Sequence, residues 1–249
     1  MLTLCVFGIL VAGCGGSGST GTTDPSRDVS SADAHVTKTE VTDYARKVNL
    51  GAADVPGAAV SSEEREAGTP SQQSIEFARC SGAESTARRV ADVKSPTFKI
   101  GKGTSLTQVK SSVEAMPTAA LAARDYAAVS SARGHACLKR LLPRVLEGAA
   151  ASSSHFGPAT ASFLPNLLPA GQKSFGVRIS TSLMAGVAGK ALRVPVYIDL
   201  FEIVAGPAEV NLTVTGFSRP PVLSLERRLL SLLYGRAQAQ KHALTPSAG

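Results

Sequence analysis

The sequence predicts an α+β fold: a single domain with a mainly antiparallel β-sheet packed by a long central helix and a C-terminal helix. Three observations predict it. Apolar runs with strand alternation cluster between residues 156 and 217, an alanine-rich stretch of strong helical propensity begins at Thr118, and an amphipathic leucine stripe follows the last strand. The chain has 249 residues, and those before about residue 74 are dense in Gly, Ser, Thr, Ala, Asp and Glu. The remainder is enough for one ordinary core. With 5% aromatic residues and no Trp, that core must rest on Val, Leu, Ile and Ala with a few Phe.

The first apolar run, Leu2 to Ala12, is too short to cross a bilayer, which needs about 20 apolar residues. It matches the length of a signal-peptide apolar region. Leu10-Val11-Ala12-Gly13-Cys14 then resembles the bacterial lipobox, which implies acylation of Cys14 as the mature N-terminus. No Lys or Arg precedes the run, which a start upstream of Met1 would supply. The following GGSGSTGTTDPSRDVSSADAH has the composition of a flexible tether. The expected organisation is a signal peptide over 1–13, a tether over 14–38, the folded domain over 39–240 and a disordered tail over 241–249. Lipidation would hold the domain on the extracytoplasmic face of the cell membrane.

Along the domain, Val41, Tyr44, Ala45 and Val48 recur at helical spacing, so a short amphipathic helix begins near Thr42 or earlier and ends at Asn49 to Gly51. Asp54, Pro56 and Gly57 turn the chain, and 61–72 reads as loop. SIEFARC alternates Ile75 and Phe77 ahead of Cys80 and predicts a strand. SPTFKIG and LTQVKSSVEAM predict a strand and its return, with GKGTS as the turn. In the long helical stretch, Cys137, Leu138, Leu141, Leu142 and Val145 share one face, Gly134 is a candidate break and Pro143 a candidate kink.

The strands that follow end in a hairpin. Val194, Val196, Ile198 and Leu200 share one face of VPVYIDLFEIV, with Tyr197, Phe201 and Ile203 on the other, as in a central strand covered on both sides. Across Ala205-Gly206-Pro207, its partner puts Val210, Leu212 and Val214 inward and Glu209, Asn211, Thr213 and Thr215 outward. Leu225, Leu229, Leu232 and Leu233 form the stripe of the final helix.

Outside the leader and the lipobox, two cysteines remain, and in an oxidising compartment they read as a Cys80–Cys137 disulfide, closing a loop for which chain entropy assigns about 4 kcal/mol. Free buried thiols and a catalytic role are the alternatives. There is no C-x-x-C, and the His135-x-Cys137 pair is the sole metal-like spacing, so no metal and no cofactor are expected.

The order of elements, with Leu50-Gly51-Ala52-Ala53-Asp54-Val55-Pro56-Gly57, Cys80, Cys137-Leu138 and the VPVYIDLFEIVAG hairpin, resembles actinobacterial lipoproteins whose domain is similar to the extracytoplasmic sensor domains of PknH-type serine/threonine kinases. That resemblance implies a non-enzymatic domain with a central antiparallel sheet, a ligand or partner cleft and disulfide stapling.

No hydrolase signature accompanies it. GKGTS lacks the G-x-x-x-x-G-K-[ST] spacing, no G-x-S-x-G occurs, and His35, His135, His155 and His242 fall mostly in tether, loop or tail. Asp199 and Glu202, three apart in a strand, point to opposite faces. Asn211-Leu212-Thr213 fits a glycosylation acceptor, incidental beside a lipobox. Net charge is +7, a balance that favours anionic partners such as phospholipid head groups or wall polymers, but the basic residues come in pairs such as Arg88-Arg89, Lys139-Arg140 and Arg227-Arg228, which suits simple solubility; the missing motifs and the expected location argue against nucleic acid.

The expected function is a non-enzymatic binding or sensor module on the membrane, for a small apolar ligand, a wall polymer or an envelope protein, with a concave apolar surface. The alternative is an envelope hydrolase, whose cleft would hold convergent titratable groups.

Overall fold

The computed structural model describes residues 36–61, 65–66, 72–84, 88–149, 154–170, 172–187 and 190–244. The segments expected as signal peptide and tether, Cys14 included, therefore lie outside the described residues but for residues 36–38. Helix α1 (Lys38–Val48) starts at Thr37, whose side chain caps Glu40 N–H while the Glu40 carboxylate accepts from Thr37 N–H. Val36, assigned to the tether by sequence, is already 6% exposed and packs in the core.

Among the described residues, ten strands form one antiparallel sheet: β1 (Ala59–Val60), β2 (Arg65–Glu66), β3 (Ala91–Lys94), β4 (Phe98–Ile100), β5 (Thr107–Ala115), β6 (Ser154–Phe156), β7 (Thr160–Phe163), β8 (Phe175–Val187), β9 (Lys190–Ala205) and β10 (Ala208–Phe217). The main order is β1-β4-β5-β10-β9-β8-β6, with β3 beside β5 carrying β2, and β7 beside β8. Strands β9 and β10 meet in a two-residue turn, Gly206-Pro207, where Gly206 takes φ +62° at the first central position, as a type II′ hairpin turn requires.

Helices cover both faces of the sheet. On one lie α1 and α5 (Leu223–Ala239); on the other lie α3 (Ala119–Val129) and α4 (Ala132–Ala149), with α2 (Gln72–Ser81) packed on α4. SIEFARC thus forms helix α2 and not the expected strand. Its Ile75 and Phe77 satisfied a two-residue alternation, but the contact that decides the segment is α2 against α4, and Ala78 and Ser81 are buried at helical spacing.

The long helical stretch divides at Ser130 and Ser131, not at Gly134. The Ser131 hydroxyl accepts from Gly134 N–H and starts α4. A Cβ on Gly134 would lie 2.3 Å from the Val129 carbonyl oxygen, so glycine permits the close approach of the two helices. Pro143 is inside α4 on its exposed side. The buried face of α4 is Cys137, Leu141, Leu142 and Leu146, whereas Val145 is 38% exposed.

At the C-terminus, part of the segment expected as tail is folded. Lys241–Leu244 form a 3₁₀ turn and Leu244 is buried in the core; 245–249 lie outside the described residues.

Candidate functional site

The register of the sheet assigns its side chains to two faces. Val93, Val113, Val210 and Ile203 are cross-strand neighbours, as are Ser111, Leu212 and Phe201, and these face α1 and α5. The next positions face the other way: Asp92, Glu114 and Glu209 lie in one cross-strand row, and Asn211 pairs with Ser112 and Glu202. A half-buried strand with Glu209 outward is therefore not what forms. Glu209 is 2% exposed, because α3 covers the face on which it stands.

On that covered face, the sheet and helices α2 to α4 enclose a cleft of about 430 Å³, within the range typical of small-molecule sites. One part is apolar, with Phe77, Leu138, Phe175, Val177 and Leu200 among its walls. The other holds Arg89, Asp92, Lys94, Lys110, Glu114 and Glu202.

The ionisable groups are incompletely matched. Arg89 pairs with Glu114, and Lys94 Nζ lies 3.8 Å from Asp92 Oδ2. Asp125 of α3 accepts from Glu84 N–H at 2.6 Å. Among the described residues, Asp125, Glu202 and Glu209 enter no ion pair, and Glu202 Oε1, Glu209 Oε1, Asp92 Oδ1 and Arg89 Nε are buried without a hydrogen-bond partner. Orphaned buried polar atoms are costly and call for water or a ligand.

Burial drives the titration of this group. It pushes Glu114 up to about 7 against the pull of Arg89. It pushes Glu202 up to about 8, with Asp125 and Glu114 adding to it, and Glu209 up to about 10, with Glu202 and Asp125 adding to it. Asp92 and Asp125 are raised by burial as well, and burial together with Lys94 lowers Lys110.

Asp199 and Glu202 do part to opposite faces. Asp199 is fully buried on the α5 side, gripped by Arg178 through Nε–Oδ1 at 2.7 Å and Nη2–Oδ2 at 2.5 Å. Beside it, Glu226 of α5 is fully buried and pushed up to about 9, by burial first and then by Asp199. Sequence reading singled out Asp199 and Glu202 but missed Asp92, Glu114 and Glu209, which alternate with apolar residues as solvent-facing strand positions do.

Cys80 and Cys137 are joined by a disulfide with Cα atoms 5.8 Å apart. The bond ties α2 to α4 rather than a strand to a helix, and both helices contribute walls to the cleft. His135 stacks on Phe163 with ring centroids 3.4 Å apart and lies 5.6 Å from Phe175, so it supports the apolar wall. His155 is in β6 and His242 in the terminal 3₁₀ turn, while His35 lies outside the described residues. GKGTS is a turn, with Gly101 at φ +80°.

The Leu50–Gly57 segment sits far from the cleft in role: it anchors α5. Partial burial would raise Asp54, but the Arg236 guanidinium, bound at 2.7 and 2.8 Å, and the Gly51 N–H hold it below the usual carboxylate range. Among the described residues no group of three or more His, Cys, Asp or Glu is arranged to hold a metal ion, and no helix is long and apolar enough to cross a membrane.

No protein-family model and no curated protein matches the chain. Among solved structures the chain is similar to the extracellular domain of PknH from Mycobacterium tuberculosis, at 12% identity over 84% of this chain and 97% of that one, with a TM-score of 0.38. The likeness is a distant one of fold.

Proposed function

We propose that the chain is a non-enzymatic binding module of the cell envelope, anchored through Cys14 on the extracytoplasmic face, and that its cleft takes a small amphiphile with an amine head. The observation that carries this is the buried, unpartnered Oε1 of Glu202 at one end of an apolar-walled cleft. Arg89 and Lys94 are each committed to a carboxyl, Lys110 stands at the same end, and Glu202 keeps an unpartnered oxygen and enters no ion pair among the described residues. A ligand ammonium there would ionise Glu202 and pair with it, while its alkyl part lies on Phe77, Leu138 and Phe175. This replaces the expectation of a purely apolar concave surface.

The same carboxyls are what an acid-based hydrolase would need. Paired-carboxyl catalysis, however, separates one group held ionised from one held protonated. Here the shifts of all five carboxyls run in one direction, upward, which suits a site that receives a cation.

Octylamine and octanoate serve as probes in an amide NMR titration of the folded domain. The expected result is saturable octylamine shifts clustered on Phe77, Leu138, Phe175 and Glu202, abolished by Leu138→Trp, and none from octanoate. Equal response to both probes, or shifts scattered over the surface, would overturn the reading. For the anchor, intact-mass measurement of membrane-extracted protein should find a diacylated chain beginning at Cys14; an unmodified chain beginning at Met1 would contradict it.

A further inference from the structure

We propose that the seam between α2 and α4, outside the cleft, is a second binding site, which takes a phosphate group on Arg79, Arg140 and Arg144. A cavity of about 540 Å³ lies there, lined by Glu76, Arg79, Cys80, Arg140, Leu141 and Arg144. Three arginines and one carboxylate thus line one space. Several other arginines are held by a carboxylate, among them Arg46 by Asp43, Arg89 by Glu114, Arg178 by Asp199 and Arg236 by Asp54. At the seam, Glu76 reaches Arg144 at 3.6 Å, longer than a hydrogen bond, and no ion pair involves Arg79 or Arg140 among the described residues.

Helix geometry and the disulfide assemble the site. Arg133, Arg140 and Arg144 stand at i, i+7 and i+11 on α4, which is one stripe of the helix. Arg79 comes from α2 across the seam, next to Cys80. The disulfide fixes the two helices, Arg140 Nη2 donates to Cys80 Sγ at 2.8 Å, and Arg133 Nε donates to the Cys80 carbonyl oxygen at 2.6 Å.

Convergent like charges repel, and a multiply charged oxyanion relieves that repulsion while accepting from each planar fork. Arginine suits phosphate for that reason, since it can donate two parallel hydrogen bonds. The shared chemistry is a phosphomonoester or phosphodiester, whether on a soluble molecule or on a lipid headgroup.

Calorimetry with pyrophosphate at low ionic strength tests the site, with co-sedimentation on phosphatidylglycerol vesicles as a second arm. The wild-type domain should bind, and the Arg79→Ala/Arg140→Ala variant should bind about a hundredfold more weakly, at about tenfold for each charged hydrogen-bonding group removed. Arg46→Ala, which removes an arginine from α1, should bind as wild type, and a thermal melt checks that the double variant is folded. Vesicle binding that pyrophosphate displaces and the double variant loses supports a headgroup source; pyrophosphate binding without vesicle binding supports a soluble phosphoester. Reduction of Cys80–Cys137 should weaken whichever ligand binds. Binding undiminished in the double variant, or absent from the wild type in both arms, would overturn the proposal.

Discussion

The two faces of the sheet come from the same strands, yet one closes into a core and the other into a polar cleft. Toward α1 and α5, Val93, Val109, Val113, Val210, Leu212, Phe201 and Ile203 pack in one continuous cluster with Leu229, Leu230 and Leu233. Toward α2 to α4 the apolar contacts break into small groups, such as Met116 with Leu121 and Ala122, and Leu142 with Leu146 and Ile179. Between those groups lies the carboxyl row. A face that surrenders continuous packing for unsatisfied polar atoms is where a ligand has something to contribute, because burying apolar area already satisfies the opposite face.

The contrast can be broken most severely on the apolar side. Leu233→Ala, at a site with no exposure, should cost about 3–5 kcal/mol in denaturant unfolding, through lost burial and the cavity left behind. Arg178→Ala should cost about 3 kcal/mol, because it leaves Asp199 buried without its partner. A double-mutant cycle with Asp199→Asn should recover much of that loss.

The disulfide comes next. Cys80→Ser/Cys137→Ser should lower stability by up to about 4 kcal/mol for a bridge spanning 57 residues. It should also loosen α2 on α4, increasing amide exchange in Phe77 and Leu138 while leaving α5 protected.

The polar face should respond to pH with the opposite sign from a salt-bridged surface. Folding raises Glu114 to about 7, Glu202 to about 8 and Glu209 to about 10 from 4.5, so between those values the folded chain holds protons the unfolded chain has released. Their contribution is fully present below about pH 4.5 and is lost as pH rises through 7 to 10. The melting temperature should therefore fall between pH 5.5 and pH 9. Glu226, raised to about 9 on the other face, adds to the slope. Glu202→Gln/Glu209→Gln should remove the part of the slope that these two residues contribute and leave those of Glu114 and Glu226; a profile unchanged by the double variant would contradict the assignment.

The smallest effect expected is that of Glu209→Gln at pH 5.5. The residue is protonated there in the folded chain, so the amide should shift stability by less than about 1 kcal/mol, against several for Leu233→Ala.

Much of this architecture was legible from local pattern. The α1 face of Val41, Tyr44, Ala45 and Val48, the β9–β10 hairpin and the leucine stripe of α5 all follow from periodicity, because each buries a side that its own spacing defines. The disulfide partners were found by elimination. The cleft was not legible, since its row exists only through register: Asp92, Glu114 and Glu209 lie 22 and 95 residues apart in the chain and meet only when β3, β5 and β10 pair. Each alone reads as an exposed strand residue. The clue lay in the helices, because an alanine-rich pair laid over the sheet must bury whatever polar side chains the strands present to it. Helix α2 misled for a related reason, as a seven-residue segment with two large apolar side chains, Ile75 and Phe77, fits either period until a packing partner decides.

The most direct test of the cleft is a ¹³C NMR titration of the Glu202 side-chain carboxyl, with and without octylamine. The account predicts a midpoint near 8 in the free protein and a clear downward displacement on adding the amine, as the ammonium pairs with the carboxylate. A midpoint in the ordinary carboxyl range, unmoved by octylamine, would contradict it.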